Sequence, residues 1–313
     1  DNGFVKGDHG ETIQLVRGVD YRTASKINQE NTPLVLNAIN KKQAVAYSIC
    51  EKTQNIFEWA FDTKAKVFDF FHNIYMNADA RKSKHAQAEM LLKLTKEVLN
   101  GKENKFFQRY FCDFRGRIYP EAKYLNEIGT DLAKGMLRLA NGKPLGEDGF
   151  RYLSHHIANS YGFDKESHED KVQFVKDRFE QFVRIGKDPK QYDSWMETDS
   201  PFQFLNGCFE LAAIKDWLDA GNKIQDFVSH TICYFDGSNN GAQWLFALAK
   251  DDKHSHLVNV IKSPDGKFGD FYKYVGNRVF DKIKDMEVTD EQRYNFNKYL
   301  KHMFKRRKQW RDI

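Results

Sequence analysis

Cysteine is sparse and scattered. The four residues Cys50, Cys112, Cys208 and Cys233 stand far apart among apolar or aromatic neighbours, without Cys-x-x-Cys spacing. That pattern implies neither a disulfide framework nor a zinc site, and it predicts buried reduced thiols. No stretch approaches the roughly 18 consecutive apolar residues of a membrane span. No secretory leader or Arg/Ser-rich transit segment opens the chain, and the first residue is Asp1 rather than Met. The expectation is a cytoplasmic protein, or an excised piece of one, with no membrane contact. His155-His156 and His254-x-His256 lack the Cys or carboxylate spacing of a metal site and read as core or solvated residues. Internal repeats and low-complexity tracts are absent, and neither charge sign dominates: 49 Lys and Arg against 44 Asp and Glu leave +5.

What is present describes a folded chain. The 41% hydrophobic and 14% aromatic content excludes disorder, and 313 residues suffice for one large domain or two ordinary ones. Charge is distributed in patches. Basic residues gather at Arg81-Lys82-Ser83-Lys84, around Arg115-Gly116-Arg117 and at Lys305-Arg306-Arg307-Lys308, while acids concentrate in 164–199 and 281–291. Such patches suit a polyanion track, although any single cluster also reads as a solvated helix face.

Residues 1–20 are polar and lack a clear period. From about 33 to 105 apolar residues recur at three and four, with only Pro33 and Gly101 as punctuation, which predicts two long helices joined by a short connection. Aromatic and β-branched residues then collect in short groups over 106–140, and RGRIYPEAKY reads as strand or extended loop. A helical stretch follows over 147–185, ended by Gly186 and Pro189. Over 200–221 another helix is predicted, with Ser200 as cap, Pro201 in first position and Gly221 just past the end. A strand over 227–235, a turn at Asp236 and a helix around Trp244 come next, and 268–313 is helical and increasingly basic. The sum is an α+β protein, predominantly helical, with a small antiparallel sheet.

Within HTICYFDGSNNGAQWLFAL (residues 230–248) a β-leaning run reaches a single carboxylate, Asp236. Asp-Gly is a common hairpin signal, but the following Trp244-Leu245-Phe246-Ala247-Leu248 does not alternate as a second strand would. A turn and a strand delivering a metal-binding carboxylate are both open on pattern alone.

Several stretches together resemble the single-subunit RNA polymerases of bacteriophages and mitochondria, in order from about residue 30 to about 280. Asp236-Gly237-Ser238-Asn239-Asn240-Gly241-Ala242-Gln243 is similar to that family's motif A, and Asp113-Phe114-Arg115-Gly116-Arg117-Ile118-Tyr119 to its D-W/F-R-G-R-x-Y signature. Gly129-Thr130-Asp131-Leu132-Ala133-Lys134-Gly135 and Asn141-Gly142-Lys143-Pro144-Leu145-Gly146 follow in the expected order. Ala80-Arg81-Lys82-Ser83 resembles the basic element of the thumb helices, and Asp199-Ser200-Pro201-Phe202 with Cys208-Phe209-Glu210 the palm segment before motif A.

The resemblance implies part of a DNA-directed RNA polymerase, laid out as a partial polymerase hand: an N-terminal extension over 1–29, a thumb-like helical hairpin over 30–105, a palm with motif A over 106–250 and the start of the fingers over 251–313. Nucleotidyl transfer uses two Mg²⁺ ions about 4 Å apart. Asp236 and the Gly237 carbonyl are then the metal ligands here, with the second carboxylate not in this chain. Related DNA polymerases place a ribose-blocking Glu where Gly241 stands, so Gly241 favours ribonucleotides. Arg117 and Tyr119 are implied at the catalytic centre beside the template–RNA hybrid, with Arg115 and Lys134 close by. Lys165 is implied to meet the NTP triphosphate, Tyr272 to pack on the templating base, Arg81 and Lys82 to hold phosphates, and Arg311 to open motif B. Motif B beyond Arg311 and motif C are not found. The expectation is that a second polymerase chain, as in heterodimeric phage enzymes, or a downstream segment supplies them. A single-strand-binding or promoter-recruiting factor is a further expected partner, and a phage-encoded protein would work in the bacterial host cytoplasm. The alternatives are a non-catalytic remnant that clamps nucleic acid, a DNA polymerase and, weakest, a template-independent nucleotidyltransferase.

Overall fold

A computed structural model of the chain describes residues 4–6, 12–14, 16–17, 33–164, 166–235, 237, 239–264, 268–284, 289, 291–292 and 295. They fall into two compact units, one formed by the chain up to Gly162 with Phe174–Cys233, the other by Phe163–Gln173 with the chain from Tyr234 onward. Among the described residues no helix is long and apolar enough to cross a membrane.

The first unit begins with β1 (Phe4–Lys6), β2 (Thr12–Gln14) and β3 (Val16–Arg17), where the sequence has no clear period. After a helix over 33–43 (α1) come β4 (Ala46–Ile49), α2 (Glu51–Asp62), α3 (Asp69–His72) and α4 (Ala78–Leu99). Next are β5 (Phe106–Phe107), β6 (Tyr110–Asp113), β7 (Ile118–Pro120), α5 (Asp131–Met136) and β8 (Leu137–Pro144). The helices α6 (Gly149–Tyr161), α7 (His168–Asp177), α8 (Phe179–Lys187) and α9 (Pro201–Asp219) precede β9 (Val228–Thr231). The sheets are small: a β1–β2 pair, a three-stranded sheet in the order β3-β6-β7, and a four-stranded antiparallel sheet in the order β5-β4-β8-β9.

β4 corrects the expectation of two uninterrupted long helices over 33–105. Its apolar residues fit a helix face equally well in sequence. Pairing on both edges, Tyr47 with Phe106 on one side and with Leu139 on the other, decides for strand. Helix α4 is long as predicted. It starts where the Asn77 side chain accepts from the amides of Asp79 and Ala80 at 2.8 and 3.1 Å.

The stretch expected as one helix over 147–185 is three, broken after Tyr161 at Gly162, which takes a left-handed φ of +110°. Gly186 does not stop α8. It lies inside, where a Cβ would meet the Cys208 carbonyl oxygen at 2.2 Å, so its role is the close approach of α8 to α9.

Helix α9 is the centre of the unit, buried on every side from Phe202 to Ala212. Pro201 and Gly221 stand where predicted, Gly221 with φ +82°. The cap differs from expectation, because the Ser200 side chain makes no capping bond. Asp131 on α5 supplies it instead, accepting from the amides of Phe202 and Gln203 at 2.8 and 3.2 Å and from the Gln203 side chain at 3.0 Å. Phe202 also meets Phe57, Phe68 and Trp195, with ring centroids 5.5–6.2 Å apart. Burying each such ring is worth about 2–3 kcal/mol, so this cluster ties α2 to α9 far more strongly than the polar cap does.

The second unit contains α10 (Asn240–Ala249) and α11 (Phe271–Lys284), with a 3₁₀ turn over Ser255–Val258 between them. Gln243 donates to the Val258 carbonyl at 2.7 Å. Asp270 caps α11 through the Lys273 amide at 3.0 Å. All four cysteines are free thiols, Cys50, Cys112 and Cys208 buried and Cys233 half-buried. This is the state expected from their spacing.

Candidate functional site

The Arg-Gly-Arg signature lies on the turn between β6 and β7, whose register pairs Tyr110 with Pro120, Phe111 with Tyr119 and Cys112 with Ile118. Gly116 makes the turn possible at φ +81°, its amide donating to the Asp113 carbonyl at 3.0 Å. Asp113 organises the rest. Its Oδ1 accepts from the amides of Arg115 and Arg117 at 2.9 and 3.0 Å, and its Oδ2 from Arg115 Nε at 2.9 Å. Burial opposes the Asp113 charge, but the Arg117 and Arg115 amides and the Arg115 guanidinium outweigh it and hold the carboxyl below its ordinary range.

The two arginines differ in consequence. Arg115 is occupied by Asp113, with Nη2 2.7 Å from Oδ2, and also lies 5.6 Å from the Phe114 ring centre. Arg117 is exposed, with no side-chain partner among the described residues. Tyr119 is half-buried and stacks on Phe111 at 5.8 Å. The hairpin therefore offers one guanidinium, that of Arg117, without a side-chain partner among the described residues, on a turn fixed by four hydrogen bonds to Asp113. Sequence reasoning assigned Asp113 no duty, though an Asp two and four residues ahead of two arginines is the signal of an Asx turn.

A pH prediction follows from Asp113. Its depressed folded value means that its contribution is complete above the unfolded value of about 3.9 and is lost as pH falls through the folded value. Amide exchange at Arg115 and Arg117 is expected to accelerate on acidification below that point in the wild type. In Asp113→Asn it is expected to be fast already at neutral pH. Slow exchange in the variant at neutral pH would contradict this role.

Arg81 and Lys82 lie on the exposed first turns of α4. Arg81 Nη2 donates to the Asn73 carbonyl at 2.9 Å, whereas Lys82 shows no side-chain partner among the described residues. Lys134 on α5 is half-buried. Burial pushes the Asp131 carboxyl up against the hydrogen bonds from Phe202 and Gln203 and, last, the Lys134 charge; burial, helped by that charge, holds His156 down at about 4, so that this core imidazole is neutral at pH 7.

In the second unit, Gly237 lies under Asn240, whose Oδ1 would be 2.7 Å from a Cβ at that position. Gly241 lies in the first turn of α10, and among the described residues no atom comes within 4 Å of a would-be Cβ. Tyr272, in the first turn of α11, is 43% exposed. Asp236, Lys165 and Arg311 lie outside the described residues. Strand β9 ends at Thr231, short of the expected arrival at Asp236. Glu210 of α9 holds that strand in place: its carboxylate, 2% exposed, accepts from Arg138 Nη2 of β8 and from the Ser229 hydroxyl of β9, both at 2.6 Å. Among the described residues no three His, Cys, Asp or Glu side chains converge on a metal position.

The family model for DNA-dependent RNA polymerase matches residues 143–309, more than half of the chain. The chain belongs to the single-subunit DNA-dependent RNA polymerase family. It is 35% identical over 192 residues to the mitochondrial DNA-directed RNA polymerase of Neurospora crassa, a match covering 61% of this chain and 13% of that protein. With T7 RNA polymerase of Escherichia phage T7 the identity is 32% over 213 residues, covering 66% and 22%. With the mitochondrial DNA-directed RNA polymerase 1 of Arabidopsis thaliana it is 33% over 215 residues, covering 67% and 21%. The chain thus spans less than a quarter of the length of these polymerases.

Proposed function

We propose that the chain is one portion of a DNA-directed RNA polymerase that extends RNA on a DNA template from NTPs. The observation that carries this reading is the family match, which runs across Asp236 and the motif A region. The hairpin adds physical support. The Arg117 guanidinium, without a partner among the described residues, is suited to bidentate contact with a phosphate of the template–RNA hybrid, and Tyr119 on β7 to packing against a sugar or base. Arg115 sets the shape of the turn on which both stand. Lys82 and Arg81 on α4 add sequence-independent phosphate contacts, Lys134 supports the same groove, and Lys165 would meet the triphosphate. The exposed face of Tyr272 suits stacking on a templating base, since stacking tolerates any base.

On this reading Asp236 and the Gly237 carbonyl would hold Mg²⁺, which when bound neutralises charge on the attacking 3′-oxygen and the triphosphate. A second carboxylate would come from other protein material, either a partner chain carrying motifs B and C or a further segment beginning near Arg311. The open space at Gly241 leaves room for a ribose 2′-hydroxyl. The division into a thumb over 30–105, a palm over 106–250 and the start of the fingers from 251 belongs to the same proposal, as does work in the cytoplasm with a promoter-recruiting helper.

The test is primer–template extension with rNTPs and dNTPs offered separately, with and without the candidate second chain. Extension by rNTPs only when both chains are present is expected. Arg117→Ala is expected to weaken template binding severalfold and to lower its salt dependence by about one phosphate contact. Extension by dNTPs alone would favour a DNA polymerase, and activity of this chain by itself would overturn the divided centre.

A further inference from the structure

Helix α10 is apolar nearly all round and buries nothing. Its ten residues, NGAQWLFALA, include no charged side chain, and not one of them is buried. A helix of that composition belongs in an interior. One side is accounted for within its own unit. Gln243 donates to the Val258 carbonyl at 2.7 Å, and the Phe246 ring lies 5.6 Å from that of Phe271 and 6.3 Å from that of His254. Helical spacing puts Trp244, Leu245 and Leu248 on the opposite side. They are 71%, 63% and 77% exposed. A contiguous apolar face of this kind marks an interaction surface.

What covers it follows from the divided metal centre proposed for this polymerase, on which the inference rests. Asp236 and the start of α10 at Asn240 are four positions apart, so no more than about 14 Å of chain joins them. A second carboxylate serving the same ions must stand within a few ångströms of Asp236, since the ions are only about 4 Å apart. The polypeptide that carries it therefore passes beside α10. There the side holding Gln243 and Phe246 is already occupied, which leaves Trp244, Leu245 and Leu248 to meet it. A second copy of this chain would cover the face without supplying motif C. The matched stretch is 22% or less of the length of each relative named above, so the family fold holds ample further polypeptide. We infer that Trp244, Leu245 and Leu248 form the docking face for the polypeptide that carries the second metal-binding carboxylate, whether a partner chain or a downstream segment. Apolar burial on α10 then holds the two parts of the centre together.

Hydroxyl-radical footprinting of the full chain, alone and with the candidate second chain carrying motifs B and C, tests this. Calorimetric affinity and rNTP extension are measured on the same preparations. Trp244 is expected to label readily in the chain alone and to be protected severalfold in the pair. Trp244→Ala and Leu248→Ser should each weaken association about thirtyfold. Both side chains are largely exposed, so the variants should keep the thermal midpoint of the wild type, which separates lost docking from lost folding. Protection of Trp244 already present in the chain alone would overturn the assignment, with sedimentation telling a second copy from the chain's own segments. Failure of the wild-type pair to associate, or equal affinity in the two variants, would overturn it as well. Where such a pair still extends RNA, the polymerase reading stands and only the docking face falls. Assembly through Trp244 and Leu248 without extension would keep the docking face and sink the polymerase reading.

Discussion

Asp236→Asn in the reconstituted polymerase is expected to lower RNA extension by about a thousandfold or more, roughly 4 kcal/mol of transition-state stabilisation. Oxygen ligands hold a hard divalent cation chiefly through their charge, and the amide keeps the shape of the carboxylate while removing that charge. Template affinity should remain or rise slightly, because on the proposed reading other residues make the phosphate contacts and the substitution removes a negative charge from a protein that binds a polyanion. Extension and template retention are therefore to be measured on the same preparation. Loss of both together would indicate a folding defect. Retention of full extension would leave a non-catalytic clamp as the better reading, since such a module has no use for Asp236.

Arg138→Met should produce the largest stability effect. Glu210 is almost completely buried, and among the described residues its charge is met by Arg138 and Ser229. Removing one partner of a buried pair leaves an uncompensated charge, at a cost of about 3–5 kcal/mol. Arg138 retains some exposure, 28% of its side chain, so water can reach the vacated position and the lower figure of about 3 kcal/mol is expected. Adding Glu210→Gln to Arg138→Met should recover much of the loss, because a neutral amide can still bond Ser229 without an unmet charge. Urea midpoints of the two variants decide the matter. Equal stability of wild type and Arg138→Met would show that the pair contributes nothing to holding β8 and β9 on α9.

Much of this fold was legible where local chemistry settles the backbone. The strand β7 was readable from the aromatic and β-branched residues of RGRIYPEAKY, and the two ends of α9 from Pro201 and Gly221. Legibility failed where partners distant in sequence decide. Ala46 to Ile49 could have extended a helix, and became a strand because β5 and β8 offer edges on both sides. Gly186 looked like a terminator and is instead a point of contact with α9. Glu210 stands out in the sequence only as part of a motif, because nothing there shows that Arg138 and Ser229 converge on it. Among the candidate site residues, the sequence singled out Arg115 and Arg117 as a pair. Only the Asp113 geometry shows that one is committed to the turn while the other is unengaged.

The Asp131 cap has a consequence for how the chain folds. The amides that open α9 are satisfied by a carboxylate some seventy positions earlier, so this helix cannot complete its own beginning. A peptide limited to α9 would fray at its first turn, and the segment from α5 through α9 should gain protection from exchange as one cooperative step, late in folding because so long a loop must first close.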